Sequence, residues 1–257
     1  MIKSISKIAL LLLITNGYAQ TISLGSAINK AGRQRAITQR MAKDYMLIGA
    51  DIRTEESTKD LDDATALFNE NFHDLLLFAK TPDQKDALAN VDAMWAKFRV
   101  KVTATPDLDN ATDIITESTN LMKACNVVLD KIIEKNASNN KIAKLTAICG
   151  KERQNLQRIS MLYTAKFWGV NYNVLDRELN EATTNFESTL ITLISAPENT
   201  PEINTILKFQ QSEWTYLKTT FDSENKDLKP SSVCSSTNLM FKDFNNLTSI
   251  YEKLVQN

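Results

Sequence analysis

Histidine, cysteine, glycine and proline are all scarce in this 257-residue chain, with one, three, six and five copies respectively. Each scarcity removes a class of explanation. One histidine and three well-separated cysteines form no metal-ligand cluster of the usual spacings, so no metal or other cofactor is expected. Few glycines and prolines leave no Gly-rich phosphate loop, no nucleophile elbow and few turns, which favours long helices. Charge of one sign is lacking too: 30 basic residues face 31 acidic ones, for a formal net charge of -1. Scattered charge without a basic patch gives no footprint for nucleic acid. The acid pairs Glu55-Glu56 and Asp62-Asp63 read as solvated helix surface, and His73 as a surface or boundary residue. The chain is therefore not expected to be an enzyme.

Long hydrophobic runs are also missing. The longest opens the chain, where Lys3 and Lys7 precede the apolar run Ile8 to Ile14 and Gly17-Tyr18-Ala19 supplies small residues for cleavage before Gln20. Residues 1–19 are thus expected to be a signal peptide, and the mature protein to be periplasmic or secreted. No segment approaches the roughly 20 apolar residues of a membrane span.

Much of the sequence occurs twice. Gly32, Arg35, Gln39, Arg40 and Tyr45 recur 118 positions later as Gly150, Arg153, Gln157, Arg158 and Tyr163. Ser118-Thr119-Asn120-Leu121-Met122 recurs unchanged at the same offset as Ser236-Thr237-Asn238-Leu239-Met240. Thr81-Pro82 and Trp95 match Thr200-Pro201 and Trp214 at 119, which implies one residue gained and later lost. A fixed order of matches at nearly one offset describes a tandem duplication.

Each copy reads as four helices. The first comprises Gly25 to about Arg53, Ser57 to Lys80, Thr81 to Val102 and Asn110 to Asn136. The second comprises Lys141 to Val170, Asn173 to Ile194, Thr200 to Phe221 and Ser232 to Leu254. Thr81-Pro82 and Thr200-Pro201 are N-caps followed by proline at the first helical position. Apolar positions recur at helical spacing, as in Phe68, Phe72, Leu75, Leu76 and Ala79, and nothing alternates with period two. The expected fold is all-α: two tandem up-and-down four-helix bundles, residues 20–137 and 138–257, in a monomer with an internal pseudo-twofold axis.

Among the cysteines, Cys125 and Cys149 lie equally far from Ala137, in the small, polar stretch Asn136 to Asn140. An antiparallel hairpin turning there would bring them level and allow a disulfide; three buried free thiols are the alternative.

The first helix of each copy carries an unusual second face. Ile37, Met41, Tyr45 and Ile48 form a core stripe; opposite lie Ile28, Ala31, Gly32, Arg35, Gln39, Ala42 and Met46. The second copy presents Thr146, Cys149, Gly150, Arg153, Gln157, Ser160 and Thr164. A helix glycine costs about 1 kcal/mol relative to alanine, and small residues permit close approach. The natural partner of this face is its own counterpart, which brings Arg35 and Arg153 together. Two guanidinium groups in such a seam either clasp an anion or pair with carboxylates of their own bundles.

The run Ile28-Asn29-Lys30-Ala31-Gly32-Arg33-Gln34-Arg35, continued by Ala36-Ile37-Thr38-Gln39-Arg40-Met41-Ala42-Lys43, resembles the first helix of the PilJ/NarX-type sensor domain. That domain is the N-terminal periplasmic part of type IV pilus chemotaxis transducers and nitrate/nitrite sensor kinases. Phe186, Pro197 to Ile203 and Trp214 resemble its middle helices. The resemblance implies a sensing module in which Arg35 and Arg153 bind a small oxyanion, nitrate or nitrite, where two first helices meet. Gly32 and Gly150 would permit the approach, and Gln39 and Gln157 would supply neutral donors. The second motif departs from the first: Ala147 stands at the position of Asn29, and Glu152 is expected to add negative charge beside the site. A membrane-bound signalling or envelope protein is the implied partner. The alternative is a ligand-free helical module that docks on an envelope or pilus protein.

Overall fold

A computed structural model describes residues 22–136, 140–221 and 228–255 of the chain. The leader expected at 1–19 and the boundary expected at 137/138 lie outside the described residues. All regular structure among them is α-helical: α1 (Leu24–Gly49), α2 (Thr54–Phe78), α3 (Pro82–Val102), α4 (Leu108–Asn136), α5 (Lys141–Trp168), α6 (Leu175–Ile194), α7 (Pro201–Lys218) and α8 (Pro230–Val255). The all-α expectation holds.

Local chemistry sets the helix ends. Thr81 accepts the backbone N–H of Gln84 while the Gln84 side chain returns to the Thr81 backbone, closing a capping box in front of Pro82. Thr200 Oγ1 accepts the backbone N–H of Ile203 ahead of Pro201. Gly169, at φ 82°, stops α5 with a left-handed cap. α1 stops at Gly49, short of the expected Arg53, because Asp51 and Arg53 both adopt positive φ in the turn that reverses the chain into α2.

Helices α1 to α4 form one unit and α5 to α8 another. Within each, the first helix packs on the second and fourth and the third on the fourth. The most extensive packing of all lies between the units, along α1 and α5, and α8 also touches α1. Both first helices are consequently buried around nearly their whole circumference, and one apolar core runs through both units. Equivalent aromatic pairs anchor the two halves, Phe68 against Trp95 at 4.3 Å between ring centroids and Phe186 against Trp214 at 4.4 Å. Tyr45 and Tyr163 each accept, on the phenol oxygen, the N–H of the residue just before the fourth helix, Asp107 at 2.9 Å and Lys229 at 3.2 Å.

One feature of the repeat is corrected by packing. In α4 and α8 the buried positions correspond at an offset of 119: Ser118 with Thr237, Leu121 with Met240, Cys125 with Phe244, and Leu129 with Thr248. At the offset of the identical pentapeptide, buried Leu121 would face Leu239, which is 48% exposed. A one-residue slip turns a helix by about 100°, so the literal match places core residues in solvent. The residue gained before Trp214 is not lost again before α8.

The cysteines are also settled. Cys125, Cys149 and Cys234 are all buried free thiols, so the expected Cys125–Cys149 bridge is not formed. The reason is helix pairing: α4 and α5 barely touch, and Cys149 faces α8, where Thr248 Oγ1 donates to its sulfur at 3.2 Å. Burial pushes both the Cys125 and the Cys149 thiol up to about 12 and keeps them protonated. Unfolded in denaturant without reductant, the protein should titrate three thiols with a disulfide-exchange reagent. Fewer would mean that a bridge exists.

Candidate functional site

The backbones of the two units approach closely at Gly32 and Gly150. A Cβ built on Gly150 would lie 3.5 Å from Gly32 Cα, 3.2 Å from Arg35 Nη2 and 3.3 Å from Arg153 Nη2. A Cβ on Gly32 would lie 3.4 Å from Arg153 Nη2 and 3.6 Å from Arg35 Nη2. The two guanidinium groups therefore flank one point of the seam, and the glycines are what leave them room. The expected meeting of Arg35 with Arg153 is realised.

Their hydrogen bonds follow the pseudo-symmetry. Arg35 Nη2 crosses the seam to the carbonyl of Ala147 at 3.0 Å, and Arg153 Nη2 crosses the other way to the carbonyl of Asn29 at 3.3 Å. Arg35 Nη1 reaches Asn126 Oδ1 on α4 at 2.7 Å; Arg153 Nη1 reaches Asn245 Oδ1 on α8 and Asn29 Oδ1, each at 3.0 Å. Ala147 stands where the first copy has Asn29, and a backbone carbonyl survives that change. Of the two arrangements open in the sequence, pairing with carboxylates is not adopted: among the described residues, every hydrogen-bond partner of the two arginines is a neutral oxygen.

Carboxylates stand one step behind. Asn126 Nδ2 donates to Asp130, and Asn29 Nδ2 donates to Glu252, so each asparagine links an arginine to an acid it does not touch. Burial lowers Arg35 to about 10, opposed by Asp130. Burial, reinforced by the positive charges of Arg33 and Arg35, lowers Arg153 to about 9. Both remain protonated at neutral pH, and the Nε of each is buried without a hydrogen-bond partner. The chemistry offered is two desolvated, mutually repelling cations with unused N–H capacity.

Gln39 and Gln157 are buried but are not part of this pair. Gln39 Oε1 accepts from Arg158 Nη1 at 3.0 Å, and Gln157 Nε2 points at Asn238 Oδ1 at 3.5 Å. Four residues of helix set their backbone about 6 Å along the seam from the arginines. Glu152 is corrected too. It lies at the position of Gln34, turned into its own bundle, where Thr189 Oγ1 donates to its carboxyl. Its carboxyl thus faces away from the seam, and burial raises its pKa well above the usual range. His73 is exposed, and no group of potential metal ligands occurs among the described residues.

Asn29, Asn126, Asn245 and Arg33 escaped the sequence reading as site residues. Asn126 and Asn245 are 119 apart, the offset of Trp95 and Trp214, and the corrected helix register would have paired them.

Residues 19–119 match the family model described as type IV pili methyl-accepting chemotaxis transducer N-term, PilJ. The matched stretch contains Gly32 and Arg35 and ends within α4, ahead of Asn126 and of all of α5. Neither the curated proteins nor the solved structures hold a match to the chain.

The buried Glu152 gives a signed pH dependence. Its folded-state pKa exceeds the unfolded value, so it carries no penalty in acid, and it subtracts stability as pH rises above about 4.5. Glu152→Gln, which installs the residue found at Gln34, should raise stability at pH 7 by about 1–3 kcal/mol and by much less at pH 4. Equal gains at both values in thermal melts would contradict this.

Proposed function

We propose that residues 19–119, which match the PilJ family model, act as a sensory module and that the second four-helix unit completes its ligand site within the same chain. On this reading the second unit is a diverged copy of the first. The ligand is a small oxyanion, with nitrate and nitrite the first candidates, held between Arg35 and Arg153. The observation that carries the reading is the pair of buried guanidinium groups, which share one point of the seam and have only neutral hydrogen-bond partners.

Two cations brought together in a low-dielectric seam repel, and an anion between them converts that repulsion into two attractions. Nitrate is planar with three equivalent oxygens, and a guanidinium presents a planar fork of donors to such an edge. The side chains already fill the seam beside the glycines, so binding requires them to turn from their present partners toward the ion. That exchange releases Asn126 and Asn245 on the two fourth helices and Asn29 on α1. Bound ion is thereby coupled to the packing of α4 and α8 against the first helices. A shift of these helices is what a membrane-bound signalling partner outside the cytoplasm would read.

A second reading has its own support. Arg35 and Arg153 are held by asparagines and crossing carbonyls, an arrangement in which they act as a structural clasp between the units. The protein would then be a helical interaction module that docks on an envelope protein without a ligand.

Nitrate at roughly a hundredfold excess over its Kd should raise the melting temperature by about 5–10 °C, the shift expected for linkage in a chain of this size. Arg35→Ala and Arg153→Ala should each abolish the increase. Arg35→Lys, which keeps the charge and loses the fork, should retain only a fraction of it. No shift with nitrate, nitrite or any other small oxyanion would leave the clasp as the role of the arginines.

A further inference from the structure

An ion bound by the arginine pair has to come from solvent, yet Arg153 is fully buried and Arg35 is only 4% exposed. On either side of the α1–α5 seam, the fourth helix of one unit comes alongside the first helix of the other, α8 beside α1 and α4 beside α5. A groove follows each of these lines, and the two grooves are not alike. Arg158 spans the one between α4 and α5. Its Nη2 holds Glu178 at 2.7 Å, while its Nη1 crosses to Gln39 Oε1 at 3.0 Å and Thr119 Oγ1 at 2.9 Å.

The groove between α1 and α8 has no such strut. Arg40, the equivalent of Arg158, holds Asp60 at 2.9 Å but makes no bridge to Gln157 or Asn238. The cause is a substitution in α1. Where α5 has the apolar Met161 and Leu162, α1 has Lys43 and Asp44, both fully buried. The Asp44 carboxylate draws the guanidinium of Arg40 back, with Nε at 3.8 Å, and Lys43 Nζ takes Asn238 Oδ1 at 3.2 Å. A cavity of about 200 Å³ is left there, lined by Arg40, Asp60, Asn238, Phe241 and Gln157. Gln157 lies one turn of α5 from Arg153.

Arg33 stands on this same groove. One helical turn separates it from Asn29, so the two share a face of α1, and Asn29 bonds both Arg153 and Glu252 of α8. Arg33 is half-buried, and among the described residues its guanidinium has no partner within hydrogen-bond or ion-pair distance. The charges nearest the two buried arginines differ accordingly. At Arg153 the positive charge of Arg33 acts more strongly than Arg35 or Glu252. At Arg35 the leading charge is the negative one of Asp130, on the side of α4. An anion approaching past α8 is drawn in, and one approaching past α4 meets a carboxylate and a closed gap.

We propose that the oxyanion enters the arginine pair through the groove between α1 and α8, and that Arg33 captures it there before Arg153 takes it over. This rests on the reading of Arg35 and Arg153 as an oxyanion site. Arg33 suits the role because its N–H groups are uncommitted and partly exposed, directly outward of a buried cation. A charge at the rim of a site raises the local concentration of its counter-ion and so the association rate, in a manner that salt screens.

The test is the rate of nitrate binding to the whole protein, from stopped-flow mixing or from NMR line shapes of the Gly32 and Gly150 amides. Arg33→Gln should lower the association rate about three- to tenfold and leave the dissociation rate within about twofold. Lys151→Gln, at the equivalent position beside the α4–α5 groove, should change neither. In about 1 M sodium chloride, where screening acts within roughly 3 Å, the deficit of Arg33→Gln should largely disappear. Arg33 makes no hydrogen bond that its replacement would break, and thermal melts of both variants check that the fold is kept. No binding of nitrate by the unsubstituted protein would overturn the oxyanion site, and this route with it. Binding with unchanged rates in Arg33→Gln, equal slowing in Lys151→Gln, an effect confined to dissociation, or a deficit that persists in salt would overturn the route and leave the site standing.

Discussion

The contact between Gly32 and Gly150 governs the rest of this molecule. Because neither residue has a side chain, α1 and α5 approach until the backbone of one lies against the arginine of the other. That proximity buries both helices on all sides and commits two guanidinium groups to the interior. An isolated buried charge is costly, and here neither arginine receives a direct carboxylate partner. Asparagines and crossing backbone carbonyls take that place, and the acids Asp130 and Glu252 stand behind them. The result is a seam stable enough to hold two units together and still rich in unused positive charge.

The two halves use this plan with different fidelity. At the centre the correspondence is close: each arginine crosses to a carbonyl of the other unit and reaches an asparagine on its own fourth helix. The carbonyl bond is indifferent to side-chain identity, which is why Ala147 can replace Asn29 without loss of the crossing contact. Toward the next turn the halves diverge. Lys43 and Asp44 put a buried ion pair where the second unit has Met161 and Leu162, and burial raises Asp44 to about 6. At this turn the shared core is apolar on the side of α5 and carries a buried ion pair on the side of α1.

Much of this was legible in the residue order. The helices, the Thr-Pro caps and the meeting of Arg35 with Arg153 all follow from spacing and from the repeat offset. Other expectations failed for identifiable reasons. The identical pentapeptides Ser118–Met122 and Ser236–Met240 are more alike in letters than any other pair of segments, yet burial places them one residue out of register. Cys125 and Cys149 are symmetric about a turn, but consecutive helices α4 and α5 are not packed neighbours. Gln39 and Gln157 share a helical face with the arginines, yet their hydrogen bonds run to Arg158 and Asn238. Glu152 is adjacent in sequence to Arg153 and projects about 100° away from it, toward Thr189 of its own unit.

The sequence by itself determined the helical class, the recurrence of matching residues at a nearly constant offset and the face on which the arginines lie. These depend on periodicity and local caps, which are properties of residues close together in the chain. Only the tertiary structure decided what the arginines bond to, which asparagines join them, and that one side of the seam closes while the other keeps a cavity. Those outcomes depend on which helices pack together and at what rotation. A single inserted residue, or one buried aspartate in place of leucine, changes that rotation or pulls a side chain away, with no trace in the local pattern.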